Sequence, residues 1–280
     1  MSLTLFYITN RPDVAVIAEK YGVDRIWVDL ETLGKAERQK NMDTVKSHHS
    51  VDDIKAIKPL LKKAEMLVRI NSWNDSSKKE IDDVINAGAD VIMLPMWKSV
   101  SEVESFIAAV AGRAKITLLL ETKEAVGCID EVLKLNGIDE IHIGLNDLHI
   151  SYGQTFMFEL LADGTVETLC EKFKAANIPY GFGGIARLGQ GMLPSENVIM
   201  EHYRLGSTRA ILSRSFCDIH QCRELPEIEH RFKKHMHLLR EYEKVCESAD
   251  EFTLRKNAEE TRKKIAEISK RMNEAADNEA

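Results

Sequence analysis

The chain reads as an α/β protein, a (β/α)8 TIM barrel with an additional C-terminal helical extension, and three features of its 280 residues predict this. Eight short apolar runs rich in β-branched residues recur along it, stretches with helical period separate them, and glycines fall where those helices should end. Strands buried on both faces read as near-continuous apolar runs, and strict alternation with helices implies a parallel sheet with helical crossovers. A doubly wound open sheet shares the alternation, but a count of eight units favours the barrel.

The first unit joins the run Leu3–Ile8 to the amphipathic stretch Val14–Tyr21, with Gly22 placed as its C-cap. Arg25–Leu30 follows, then Val51–Lys62. Met66–Ile70 leads to Lys78–Ala87 and Gly88, and Asp90–Pro95 leads to Val100–Val110 and Gly112. Lys115–Glu121 precedes Ile129–Leu135 and Gly137, and Glu140–Leu145 precedes Val166–Ala176. Pro179–Gly184, then Glu196–Leu205 with Gly206, then Arg209–Phe216 complete the set. The barrel domain is therefore expected over residues 1–222. From 223 to 280 the pattern changes. Leu225, Ile228, Phe232, Met236, Leu239 and Tyr242 fall three or four apart and predict one helix with an apolar stripe. After Ser248 the chain is mostly Glu, Lys, Arg and Ala, with Phe252, Ile265, Ile268 and Met272 as sparse apolar positions. This extension is expected to pack between subunits and to end in a partly solvated tail.

A net charge of −7 argues against a nucleic-acid or anionic-membrane surface, either of which wants a clustered basic excess. No apolar run approaches the roughly 18 residues of a membrane span, and the first residues lack the basic flank of a signal peptide. Five cysteines, an odd number without a CxxC pair, argue against a disulfide framework or a zinc ribbon. The expectation is a cytoplasmic protein with reduced thiols and a small-molecule partner.

In a barrel, functional residues gather at the C-terminal ends of the strands. Those ends present Asp29 and Glu31, Arg69 and Asn71, Pro95, Met96 and Trp97, Glu121, Asn146 and Asp147, Gly183 and Gly184, and Ser213 and Arg214. Glu121 and Asp147 stand on adjacent strands with Arg69 at the same mouth. Two carboxylates suit Mg2+ or Mn2+, hard cations that keep open positions for a chelating substrate such as a 2-oxo acid. Arg69 adds a fork of donors for a keto or enolate oxygen. The plainer reading of the same residues is helix caps and ion pairs at βα turns.

The segment LLLETKEAVGCIDEVLKLNGIDEIHIGLNDLHISYG, Leu118 to Gly153, resembles the core motif of the HpcH/HpaI aldolase and citrate lyase β-subunit family, within the phosphoenolpyruvate/pyruvate-binding barrel superfamily. VRIN at Val68–Asn71, AGADVIMLPM at Ala87–Met96 and WVDLET at Trp27–Thr32 extend the similarity over about residues 20–218. The resemblance implies a metal held by Glu121 and Asp147, with Arg69 contacting the substrate keto oxygen. It also implies that the backbone around Pro95, Met96 and Trp97 meets a pyruvate-like carboxylate, and that Glu31 lies at the substrate. Trimeric or hexameric assembly with an exchanged C-terminal helix is implied as well, a role open to the Leu225–Tyr242 stripe.

One departure matters. Pyruvate aldolases of the family carry histidine after the glutamate that ends strand 2, where this chain has Thr32. The stretch DLETLGKAERQ is instead similar to the citrate lyase β-subunit branch, without its second acid. No general base is carried over. The segment Gly34–Ser50, with Lys35, Arg38, Lys40, Lys46, His48 and His49, could bring His48 or His49 to the mouth to exchange a proton.

Other signals are weaker. His220, Cys222, His230, His235 and His237 lack the four-residue spacing of a helical zinc pair, and Cys128 has no adjacent histidine to make it a nucleophile. Gly181–Gly184 could let an anion approach the backbone, and Arg187, Ser213 and Arg214 could bind an anionic substrate end. The expected function is a divalent-metal-dependent carbon–carbon lyase on a pyruvate- or oxaloacetate-like 2-oxo acid. The alternatives are a citrate-lyase-like or citrate-synthase-like enzyme using oxaloacetate or an acyl-CoA thioester, and an inactive metabolite-binding or assembly subunit.

Overall fold

A computed structural model describes residues 2–34, 49–218, 222 and 224–279. Eight parallel strands close into a barrel in sequence order: β1 Thr4–Ile8, β2 Arg25–Asp29, β3 Glu65–Arg69, β4 Val91–Leu94, β5 Lys115–Leu120, β6 Glu140–Ile143, β7 Tyr180–Ile185 and β8 Arg209–Leu212. The alternation of side chains sends every second residue inward. An apolar cluster fills the barrel interior: Phe6, Trp27, Leu67, Val91, Met93 and Leu119, with Ile8 and Ile211 against them. Most of the other buried apolar residues form a second, larger cluster in which the helices pack against the sheet and one another.

The N-terminal end of the barrel is closed by ions. Arg25 pairs with Glu65 at 2.8 Å and with Glu140, Arg209 also pairs with Glu140, and Lys115 pairs with Glu65. Thr117 Oγ1 donates to Glu140 at 2.6 Å, and the Arg25 guanidinium lies 4.9 Å from the centre of the Phe6 ring. Burial alone would raise the Glu140 pKa, but Arg25 and Arg209 more than offset it and hold the carboxyl below its usual range.

The helices follow the predicted order with instructive differences. After α1 (Pro12–Lys20), α2 runs over Val51–Ile57 and gives way to a 3-10 turn at Lys58–Leu60. Pro59 explains the shortening, because it cannot donate and disfavours helix at the residue before it. Next come α3 (Ser77–Ala87) and α4 (Val100–Val110). Gly88 takes the left-handed C-cap of α3 as expected, whereas α4 places Ala111 there, with Gly112 one residue on, also at positive φ. Beyond β5 lie α5 (Lys123–Gly127) and α6 (Ile129–Val132), and beyond β6 lie α7 (Leu145–Ser151), α8 (Glu159–Ala162) and α9 (Thr165–Ala175). Of these, α5, α7 and α8 were not predicted, since pieces of four to seven residues carry too few periods to register.

Following α10 (Ser195–Leu205), α11 (Leu225–Ser248) occupies the eighth helix position of its own barrel, against α1 and α10. Its stripe is buried there: Ile228, Phe232, Met236 and Leu239 are each at most 2 % exposed, and Phe232 meets Tyr7 edge-on at 5.0 Å. The last helix, α12 (Glu251–Glu279), lies on α10 and α8. Ala258, Thr261, Ile265 and Ile268 are its buried face. Asn197 on α10 anchors it, bonding Asn257 at 3.0 Å, Thr261 at 3.1 Å and Lys264 at 2.8 Å. Among the described residues no helix is long and apolar enough to cross a membrane.

Candidate active site

The C-terminal ends of β2, β3, β5 and β6 bring the charged residues together. Register pairs Asp29 with Arg69 directly across β2 and β3. The Asp29 carboxylate accepts from Arg69 Nε and Nη2, both at 2.8 Å, a two-pronged grip that fixes the plane of the guanidinium. Glu31, two residues further along the same inward face, meets Nη2 at 3.2 Å. Trp27 lies one layer below, its ring centre 5.1 Å from the guanidinium carbon. Arg69 is 11 % exposed, and both acids are 2 % exposed. Burial would lower the Arg69 pKa, yet Asp29, Glu31 and Glu121 together drive it up, so the group stays charged.

Glu121 follows β5 and is buried. One oxygen, Oε1, accepts from Met96 N–H at 3.0 Å. That amide is aimed by an uncommon backbone, since Met96 sits at φ 55° without being glycine. The other oxygen, Oε2, lies over Gly144, where a Cβ would come within 2.8 Å. Gly144 N donates to Leu120 O at 2.9 Å, so β6 is held level with the end of β5 before α7 begins. Asp147 lies in the first turn of α7, half-buried, rather than at the end of an extended strand as expected. The strand stops at Ile143 because Gly144 turns the chain into a helix, whose first turn carries Asp147.

Pro95 is buried beside Met96, and the Trp97 side chain is in the shell outside the barrel. The Trp97 carbonyl accepts from Thr122 Oγ1 at 2.9 Å, the same oxygen that caps α5 by accepting from Ala125 N–H. Thr32, at the position where the resemblance to the pyruvate aldolases led to an expectation of histidine, donates through N and Oγ1 to Asn71 Oδ1 at 2.9 and 3.3 Å. Asn71 also accepts from Leu33 N–H and donates to Glu80, so it ties the loop after β2 to α3. Of the two candidate histidines, His48 lies outside the described residues, as do Lys35, Arg38, Lys40, Lys46 and His220. His49 reaches the end of β2, where its Nδ1 accepts from Asp29 N–H at 2.9 Å.

The glycines of β7 have a packing explanation. A Cβ on Gly181 would lie 2.3 Å from Arg209 O, and one on Gly183 would lie 2.7 Å from a Leu145 methyl carbon. The space expected for an anion at those two positions is filled by β8 and α7. Sequence reasoning underrated Asp29 and passed over Gly144. The signal for Asp29 was its spacing of two from Trp27 and Glu31, which puts all three on the inward face.

The family model for HpcH/HpaI aldolase/citrate lyase matches residues 2–161, more than half of the chain. No curated protein sequence matches. Among solved structures, an HpcH/HpaI aldolase from Desulfitobacterium hafniense DCB-2 shares 15 % identity with a TM-score of 0.58, covering 81 % of this chain and 93 % of that one. An HpcH/HpaI aldolase/citrate lyase family protein from Burkholderia cenocepacia J2315 shares 12 % identity with a TM-score of 0.60, covering 81 % and 95 %. Citrate synthase SbnG shares 16 % identity with a TM-score of 0.58, covering 82 % and 94 %. At such identities these structures speak for the fold alone; the family model carries the assignment, and the chain belongs to the HpcH/HpaI aldolase/citrate lyase family.

Proposed function

We propose that this family member is a divalent-metal-dependent carbon–carbon lyase, of the class II aldolase type, acting on a pyruvate- or oxaloacetate-like 2-oxo acid through an enolate. The observation that carries the reading is a buried, permanently charged Arg69 locked by Asp29 and Glu31 at the same barrel mouth as Glu121. A dry, fixed cation is what a developing enolate oxygen needs, because its dipoles and charge require no reorganisation as the bond breaks.

The donor set fits a hard cation. Glu121 and Asp147 offer oxygen only, Gly144 leaves room over Glu121 Oε2, and Met96 N–H holds the other oxygen in place. Among the described residues no group of three or more His, Cys, Asp or Glu could hold a metal, so the protein would supply these two ligands, with water and substrate completing the shell. Mg2+ or Mn2+ bound there would supply a second positive charge beside Arg69. Asp29 and Glu31 engage Nε and Nη2 of Arg69, and Nη1 would be the edge that meets the substrate oxygen. The Met96 region, with its backbone already turned, supports the carboxylate end of the 2-oxo acid.

A second reading is favoured by Thr32, which is spent on Asn71 and supplies no imidazole: a citrate-lyase-like or citrate-synthase-like reaction on oxaloacetate or an acyl-CoA thioester. It shares the enolate half. Deuterium exchange at the methyl of pyruvate, followed by NMR with Mg2+ or Mn2+, tests both. Exchange by the wild type, reduced at least about 100-fold in Glu121→Gln and Asp147→Asn, is expected. Binding of metal and oxo acid without exchange would overturn the enzyme reading in favour of a binding subunit.

A further inference from the structure

Glu31 is held from both sides by the end of β3. On one side the ladder between β2 and β3 still runs, with Leu30 N donating to Arg69 O at 2.9 Å. In that register the next two bonds would join Asn71 N–H to Leu30 O and Thr32 N–H to Asn71 O. Both amides turn to side chains instead. Asn71 N donates to Glu80 Oε1 at 3.1 Å, and Thr32 N donates to Asn71 Oδ1 at 2.9 Å. The same Oδ1 accepts from Leu33 N at 3.0 Å and from Thr32 Oγ1 at 3.3 Å. One side-chain oxygen gathers the chain leaving β2, directly after the residue whose carboxylate meets Arg69 Nη2 at 3.2 Å.

The Asn71 amide has a single workable orientation. Its Nδ2 donates to Glu80 Oε1 at 2.9 Å, so a reversed amide would set NH2 against two backbone N–H groups and oxygen against a carboxylate. Glu80, in the first turn of α3, takes both the backbone and the side-chain N–H of Asn71 on one oxygen. The helix fixes Asn71, Asn71 fixes Thr32 and Leu33, and the backbone of Glu31 is bracketed between bonds to residues 69 and 71.

We propose that Asn71, oriented by Glu80, is a positioning residue: it sets the backbone of Glu31 so that this carboxylate helps to hold Arg69 in its catalytic plane. It acts through Glu31 rather than on the substrate, and the proposal rests on the 2-oxo acid reading above. Asn71→Ala should lower kcat for methyl exchange at least about 30-fold with KM changed less than about threefold, because a small displacement of an oriented group is felt in turnover. Mn2+ affinity, assigned above to Glu121 and Asp147, should stay within about threefold. Hydrogen exchange followed by NMR reads the clamp without turnover. The Thr32 and Leu33 amides should exchange at least about 10-fold faster in Asn71→Ala, while Leu30, bonded to the backbone of β3, keeps its protection.

A paired replacement tests the polarity. At pH 8, Asn71→Asp keeps an acceptor for the loop but sets a second carboxylate against Glu80, and should lose turnover as Asn71→Ala does. Adding Glu80→Gln supplies a donor to that carboxylate and should recover at least about 10-fold in kcat. This pair decides the matter if Asn71→Ala does not fold. Turnover within about threefold of wild type in Asn71→Ala, or a folded double variant no more active than Asn71→Asp, would overturn the proposal. A loss of kcat matched by loss of Mn2+ affinity or of Leu30 protection would make Asn71 a general element of the fold and overturn it equally. A wild type that exchanges no methyl deuterium would remove the 2-oxo acid reading itself, an outcome that leaves the amide protection of Thr32 and Leu33 untouched.

Discussion

Asp29 holds Arg69 with both carboxylate oxygens at 2.8 Å, and the two residues face each other in register across β2 and β3. The grip turns a long, flexible side chain into a fixed electrostatic element, with Glu31 and Trp27 closing off its other movements.

The first prediction concerns that grip. Asp29→Asn keeps the shape of the side chain and removes its charge, so Arg69 stays in the barrel but loses its fixed plane. Steady-state kinetics should show kcat/KM falling by about 100-fold, mostly in kcat. Arg69→Lys cannot reproduce the fork and should be no better. Activity near wild type in Asp29→Asn would show that Arg69 needs no such partner.

Gly144→Ala tests the room over Glu121. The added Cβ would come within 2.8 Å of Oε2 and 3.0 Å of the Glu121 Cβ, so the carboxylate must move. Calorimetric titration with Mn2+ should report affinity reduced by about 10- to 100-fold. Gly127→Ala, whose Cβ meets nothing within 4 Å, serves as the control and should bind as the wild type does.

At the opposite end of the barrel, Glu140→Ala removes the shared partner of Arg25 and Arg209. Glu140 is 2 % exposed, and the cations left behind are 4 % and 17 % exposed. Stability should fall by about 3–5 kcal/mol, read from urea unfolding midpoints, because a desolvated charge loses its counter-charge. An unchanged midpoint would mean that water reaches the network.

Two buried histidines set the acid side of the stability profile. His142, inside the barrel with Nε2 on Gly183 O at 3.1 Å, has its pKa lowered by burial to about 4. His202, stacked on Phe182 at 3.9 Å, is lowered by burial to about 3. Each ring is neutral when folded at a pH where the unfolded chain, with its ordinary value near 6.5, binds a proton. The unfolded state therefore holds more protons below pH 6.5, and stability declines as pH falls from there toward the folded values. The slope approaches about 1.4 kcal/mol per pH unit for each ring. Unfolding midpoints at pH 7 and pH 5 should show the decline, and His142→Gln should flatten it.

The alternation of apolar runs and helices was enough to anticipate eight strands and their order, because a strand buried on both faces has no polar residues to interrupt it. The charged rim was visible as well: Glu121, Arg69 and Glu31 all lie at the mouth end of their strands. The short helices α5, α7 and α8 were not visible, and so Asp147 was read as the end of a strand. The ionic floor was equally hidden. Arg25, Glu65, Glu140 and Arg209 begin their strands as ordinary surface charges would, and Arg25 meets Glu140 only because the closed barrel brings β2 and β6 across its axis.

By itself the sequence determined the number and order of the strands and which residues stand at their C-terminal ends, since both follow from local periodicity and chain direction. Its motifs determined the family. Tertiary structure alone decided which charges are partners. That Asp29 serves Arg69, that Met96 N–H holds Glu121, and that His49 accepts from Asp29 N–H all depend on strand register and barrel closure. These relations join residues 20 to 40 positions apart, and no pattern along the chain encodes them.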